Sequence, residues 1–171
     1  MKTLLGTFLL LAAAMNGAPL VTIPAADLTV LAGQQATWGA TVMNNEGTFV
    51  TFTSTFALLE TNPVLGSYFD ILGAAGGPVD FVLPPGQTWV TNLASYLTDP
   101  GAVPGAANTL TVRVLWEEYS DDPNFCGNCF VGNGFSDHTV SVTVGAVPEP
   151  GTAALFLLAG AGLVVMRMRR R

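Results

Sequence analysis

Positive charge is scarce in this chain. Of its 171 residues only six are lysine or arginine, and a single one, Arg113, lies between Pro19 and Pro150. All twelve aspartates and glutamates fall in that stretch, from Asp27 to Glu149, giving the body a net charge of −11. Such a surface repels nucleic acid and anionic lipid, which excludes nucleic acid as a partner. Histidine is reduced to His138, and cysteine to Cys126 and Cys129. Zinc asks for about four ligands, and no second cysteine pair exists to complete a set. Neither a G-x-S-x-G nucleophile elbow nor a Gly-rich phosphate loop running from strand to helix occurs. The body also lacks any long amphipathic helical pattern. These gaps argue against an enzyme, and no cofactor or metal is expected.

What the body does have is period-2 alternation, the mark of half-buried strands. In QATWGATVM, Ala36, Trp38, Ala40 and Val42 share a face. FVTFTSTFALL aligns Val50, Phe52, Phe56 and Leu58; VDFVL aligns Val79, Phe81 and Leu83; TWVTNL aligns Trp89, Thr91 and Leu93. TLTVRVLWE puts Leu110, Val112, Val114 and Trp116 together, and HTVSVTV does so for Val140, Val142 and Val144. With LTVL near Leu28 the count is about seven strands. NNEG, GAAGGP, PPGQ, DPGAVPG and GNGFSD read as the turns and loops between them. Short strands, Gly/Pro turns and no helices predict an all-β body of two packed antiparallel sheets over 27–145. Trp38, Trp89 and Trp116 are expected in its core.

The most distinctive stretch of the body is WEEYSDDPNFCGNC. Cys126 and Cys129 are expected to form a disulfide that staples this loop, with a redox motif or a metal pair as the weaker alternatives. A thioredoxin-type site would need the motif at a helix start in a βαβ unit, which the pattern does not provide. Asp121 and Asp122 with backbone carbonyls, or these together with Asp137 from the next strand, are the oxygens available to a Ca²⁺ ion, but the EF-hand spacing is missing, so a solvated acidic loop is expected instead. His138 and Asp137 with a serine are the only material for a hydrolytic triad, and Glu117, Glu118, Asp121 and Asp122 the only clustered carboxylates. His138 is expected at the surface, starting a strand. Tyr68, Phe69, Tyr96 and Tyr119 lie in or near predicted loops and are the aromatics to watch for carbohydrate stacking.

The two ends differ from the body. MKTLLGTFLLLAAAMNGA places Lys2 before an apolar run from Leu4 to Ala14, with Ala12 and Ala14 spaced for signal peptidase. Residues 1–18 are therefore expected to be a removable signal-peptide helix, cut after Ala14 or Ala18. At the other end, Thr152 to Met166 is uncharged and apolar, and Arg167, Arg169, Arg170 and Arg171 follow. As a single helix the fifteen residues of 152–166 cover roughly 22 Å, short of the ~30 Å hydrocarbon core. The arginines act as a membrane stop held on the cytoplasmic side, while the acidic body crosses.

Pro148-Glu149-Pro150, a short apolar helix and a terminal arginine cluster together resemble the tripartite PEP-CTERM sorting signal, over 146–171. The resemblance implies an exported protein of a Gram-negative bacterium, held briefly in the inner membrane. Its partner would be exosortase, a transpeptidase-like membrane protease that recognises and removes the tail. The body, on AGQQATWGATVMN, LPPGQTWVTNL and the final Val-Thr strand, resembles the immunoglobulin-like modules of bacterial surface proteins. The expected function is a non-enzymatic surface or matrix protein, with signal peptidase and exosortase as processing partners and extracellular polysaccharide as a candidate ligand. The alternatives are a carbohydrate-binding module and, behind it, a secreted hydrolase.

Overall fold

Alternation of inward and outward side chains builds this fold, strand by strand. The computed structural model describes residues 18–72 and 82–146. The expected signal peptide up to residue 17, the segment 73–81 with Val79 and Phe81, and the sorting tail from 147 onward lie outside the described residues. Within them the body is all-β, with nine strands in two sheets. The first sheet runs β1 (Leu20–Thr22), β3 (Gln35–Met43), β7 (Thr88–Thr98), β5 (Gly66–Asp70) from edge to edge. The second runs β2 (Asp27–Val30), β9 (Phe130–Val144), β8 (Ala107–Tyr119), β4 (Phe49–Glu60), β6 (Val82–Leu83). A single 3₁₀ turn, Pro63–Leu65, leads into β5.

Two strands exceed the seven that the sequence predicts, β1 and β5. Both are short, and neither shows a clean aliphatic alternation. β1 also lies ahead of the 27–145 range. One pairing is not antiparallel. β1 pairs antiparallel with β3, the chain then crosses at Pro24 to the other sheet, and β2 continues there parallel to β9, with Asp27 opposite Ser141 and Val30 opposite Val144.

The inner faces match the alternation closely. Trp38, Ala40 and Val42 of β3 and Leu93 and Tyr96 of β7 are buried against Val50 and Phe52 of β4. Leu110, Val112, Val114 and Trp116 of β8 and Val140, Val142 and Val144 of β9 complete the same core. Each buried aliphatic or aromatic side chain contributes about 1.5–3 kcal/mol. Trp38 meets Tyr96 edge-on with ring centroids 6.3 Å apart, and Phe52 meets Trp116 at the same separation. Trp89 is only half-buried, at the core margin. Tyr96 is a core residue rather than a loop aromatic, because β7 runs on past Leu93 to Thr98.

Bulges explain where the alternation slips. The β4–β8 register shifts between Phe52 and Ser54 and again between Ala57 and Leu59. One extra residue inverts every following side chain. Thr55 is therefore buried, while Phe56 and Leu58 are 39 % and 38 % exposed, not inward as the sequence pattern predicts. GNGFSD is likewise not a loop: Gly132 to Asp137 lie within β9, paired with β8. Gly134 sits opposite Trp116, whose ring atoms lie 2.7 Å from where a Cβ on Gly134 would stand. The glycine makes room for the indole.

Two buried asparagines are satisfied by the loops around them. Asn108 is fully buried, donating to Glu60 Oε2 at 2.9 Å and the Tyr96 hydroxyl at 3.0 Å while accepting from the Asn62 N–H at 2.8 Å. Asn44, also fully buried, donates to the Thr48 and Leu83 carbonyls, both at 2.8 Å. It ties the β3–β4 loop to the β6–β7 turn, where Gly86 adopts φ +74°.

Replacing Gly134 by alanine should destabilise the body by about 1–3 kcal/mol, through overpacking against Trp116. Gly132→Ala is the control, since its Cβ would meet nothing within 4 Å. Urea denaturation should show a lowered midpoint for the first variant and none for the second.

Candidate functional site

The end of β8 carries Trp116-Glu117-Glu118-Tyr119, and strand alternation sends these residues to opposite faces. Trp116 and Glu118 face the sandwich interior, where the indole N–H donates to Glu118 Oε1 at 3.2 Å. Glu117 and Tyr119 face out, with the Tyr119 hydroxyl donating to Glu117 Oε2. That bond, then burial and the charge of Glu117, pushes the tyrosine hydroxyl above its usual range. Tyr119 also meets Phe130 edge-on at 5.8 Å.

A second acid reaches the interior end from the β3–β4 loop. Glu46 is 7 % exposed, and its Oε1 has no hydrogen-bond partner within the protein. Burial, followed by the charge of Glu118, raises its pKa above the usual 4.5. Sequence reading passed over Glu46, because NNEG carries only a turn signal.

The sole base of the body is committed elsewhere. Arg113 binds Asp137 through Nε and an Nη, each at 2.7 Å, and its guanidinium lies 3.8 Å above the Phe135 ring. The paired arginine holds the Asp137 carboxyl below its usual range. Asp137 is therefore fixed well along the sheet, away from Asp121 and Asp122. Those two cap their own loop: Asp121 accepts from the Asp122 N–H at 2.8 Å, and Asp122 from the Asn124 N–H at 2.9 Å. Among the described residues no three acid, histidine or cysteine side chains gather as a metal cage.

The triad material does not assemble either. His138 lies inside β9, not at its start, and is half-buried, which lowers its pKa. Ser136 Oγ is 2.8 Å from its Nε2. Asp137, between them in sequence, points to the other face and is held by Arg113. Glu117 and Glu118 face opposite ways, so they form no carboxylate pair. Of the aromatics watched from sequence, Tyr68 donates inward to Thr55 at 2.6 Å and burial pushes its pKa up, Phe69 is 46 % exposed, and only Tyr119 joins the acidic end.

Cys126 and Cys129 are disulfide-bonded. The bridge closes the loop that follows Tyr119, and the Ser120 N–H donates to the Cys129 carbonyl at 2.8 Å.

Two shallow cavities adjoin at this end. One, of about 620 Å³, is lined by Thr53, Leu115, Trp116, Glu117, Asn133 and Phe135 among others. Its neighbour, of about 350 Å³, shares Thr53 and Glu117 and adds Thr51, Tyr119 and Asn124. Asn133 and Phe135 were hidden from sequence reading by the loop signal of GNGFSD.

Beyond the described body, residues 146–171 match the family model of the PEP-CTERM protein-sorting motif. The match takes in Pro148, Glu149 and Pro150 and the arginines at 167, 169, 170 and 171. It supports an exported protein, transiently anchored in the membrane and processed by an exosortase, itself a membrane protein. No curated protein matches the chain.

Glu46 makes stability depend on pH. Its raised pKa means the folded chain holds this proton more tightly than the unfolded chain, so its contribution is complete below 4.5 and is lost as pH rises through the higher folded value. Thermal unfolding across pH should therefore show a smaller loss above 4.5 for Glu46→Gln than for the parent protein. For the disulfide, thiol alkylation of unreduced exported protein should label neither cysteine. The double serine variant should lose about 2 kcal/mol, the loop-closure value for so short a ring.

Proposed function

We propose that this chain is a non-enzymatic surface or extracellular-matrix protein of a Gram-negative bacterium, delivered by a temporary C-terminal anchor. The observation that carries this reading is the sorting motif at 146–171. The signal peptide starts export and is removed by signal peptidase. The apolar segment 152–166 then halts in the inner membrane with Arg167, Arg169, Arg170 and Arg171 on the cytoplasmic side. Pro148 and Pro150 disfavour helix in the connector by their chemistry, which suits it to a protease groove. Glu149 is the one charge there, a handle for the exosortase.

The released body acts as an interaction module with an immunoglobulin-like topology. The sheet order supports this: β1-β3-β7-β5 follows the A-B-E-D order of that fold, and β9-β8-β4 follows G-F-C. The separate facing of Glu117 and Glu118, and of Asp137 and His138, supports a role without catalysis.

Mass spectrometry of the protein from its native host should find a C-terminus near Val147–Pro150. Arg171 still present in most of the surface pool would overturn removal. Glu149→Ala should trap unprocessed protein in the inner membrane.

A further inference from the structure

We infer that the outer face of the second sheet, at its acidic end, is a binding groove for a hydroxyl-rich, non-anionic glycan; this rests on the reading of the body as an interaction module. The argument starts from register. Thr51 of β4 pairs with Glu117 of β8, and Glu117 with Asn133 of β9. The Glu117 carboxylate and Asn133 amide thus stand side by side on neighbouring strands about 4.8 Å apart, next to the buried Thr51 hydroxyl. On one side lies an aromatic row, Tyr119 opposite Phe130. On the other, Leu115 stands opposite Phe135, beside the bulged Thr53. The two cavities share Thr53 and Glu117, and the larger also touches Leu115, Asn133 and Phe135 along with Ala18, Trp116, Glu118 and Gly134.

A polar row between an aromatic row and an apolar one matches a ligand with the same character. A sugar presents hydroxyls at its edge and C–H groups on its faces, so the first meet Glu117 and Asn133 while the second rest on the rings. Phe130 and Phe135 remain 55 % and 54 % exposed, with no part in the core. Phe135 is preorganised by the Arg113 guanidinium, itself locked by two bonds to Asp137. Preorganised rings reduce the entropic cost of binding. Charge selects within the class. Glu117 lines both cavities and no base lines either, which disfavours anionic polymers. A peptide strand finds no purchase, because the backbone groups of β8 are already paired on both sides.

The test is a ¹⁵N-NMR titration of the exported, processed protein with cellohexaose, maltohexaose and chitohexaose, and with alginate and oligolysine as counter-probes. At least one neutral hexasaccharide should shift the amides of Thr53, Glu117, Asn133 and Phe135, with alginate and oligolysine leaving them unmoved. Glu117→Gln and Phe135→Ala should each weaken binding about tenfold at unchanged melting temperature. No shift with any neutral probe, a stronger response to alginate or oligolysine, or full affinity in both variants would overturn the site. The C-terminal mass of the same protein reports sorting separately, so a failed groove and a failed sorting reading are told apart.

Discussion

The contact between the two inner faces is what everything else depends on. Trp38 and Tyr96 from the first sheet and Phe52 and Trp116 from the second fill the interior, and each is at most 2 % exposed. Once these positions point in, alternation leaves no choice for their neighbours. Glu117, Tyr119, Asn133 and Phe135 must face solvent because Trp116 and Gly134 do not. The outer groove is thus a by-product of core packing. Gly134 shows the coupling: it yields space to Trp116 on one face while its neighbours Asn133 and Phe135 form the groove on the other.

Charge imposes a second constraint. One base serves the whole body, and it is spent on Asp137. Every other acid must sit in solvent or be held by neutral donors. Asp121 and Asp122 are held by backbone N–H groups of their own loop. Glu60 receives the buried Asn108 amide. Glu46 has no such arrangement for one oxygen and lies near Glu118, which is why its proton is held tightly.

Much of the fold was legible because alternation is a local signal. The valines of β9 and the Leu110–Trp116 face of β8 were read directly from period two. Phase errors arose where the signal is nonlocal. The bulges of β4 exist only against β8, and no residue of FVTFTSTFALL announces them. The first half of β9 was concealed by composition: glycine and asparagine signal a turn locally, but here glycine answers a tryptophan on the neighbouring strand. That same mistake hid two groove residues. The parallel β2–β9 pairing was illegible for a related reason, since strand direction across sheets is set by where the chain crosses, not by its pattern. The tail was the reverse case. Its order of prolines, apolar run and arginines lies in contiguous sequence, so reading along the chain was enough.

Tail and body therefore answer different questions with different physics. An apolar segment with a charged stop is indifferent to what precedes it, so the sorting signal at 146–171 imposes no particular fold on the body. Described structure continues to Ala146, and the last backbone bonds of β9 and its exit are made by Val144 to Ala106 and Gly145 to Val30. The sandwich thus closes within a few residues of Pro148. An anchored body with so short a tether would be forced against the lipid surface unless something held it off. Its net charge of −11 supplies that repulsion from anionic headgroups. The scarcity of bases, which excludes so many binding functions, is therefore also suited to a body tethered close to a membrane.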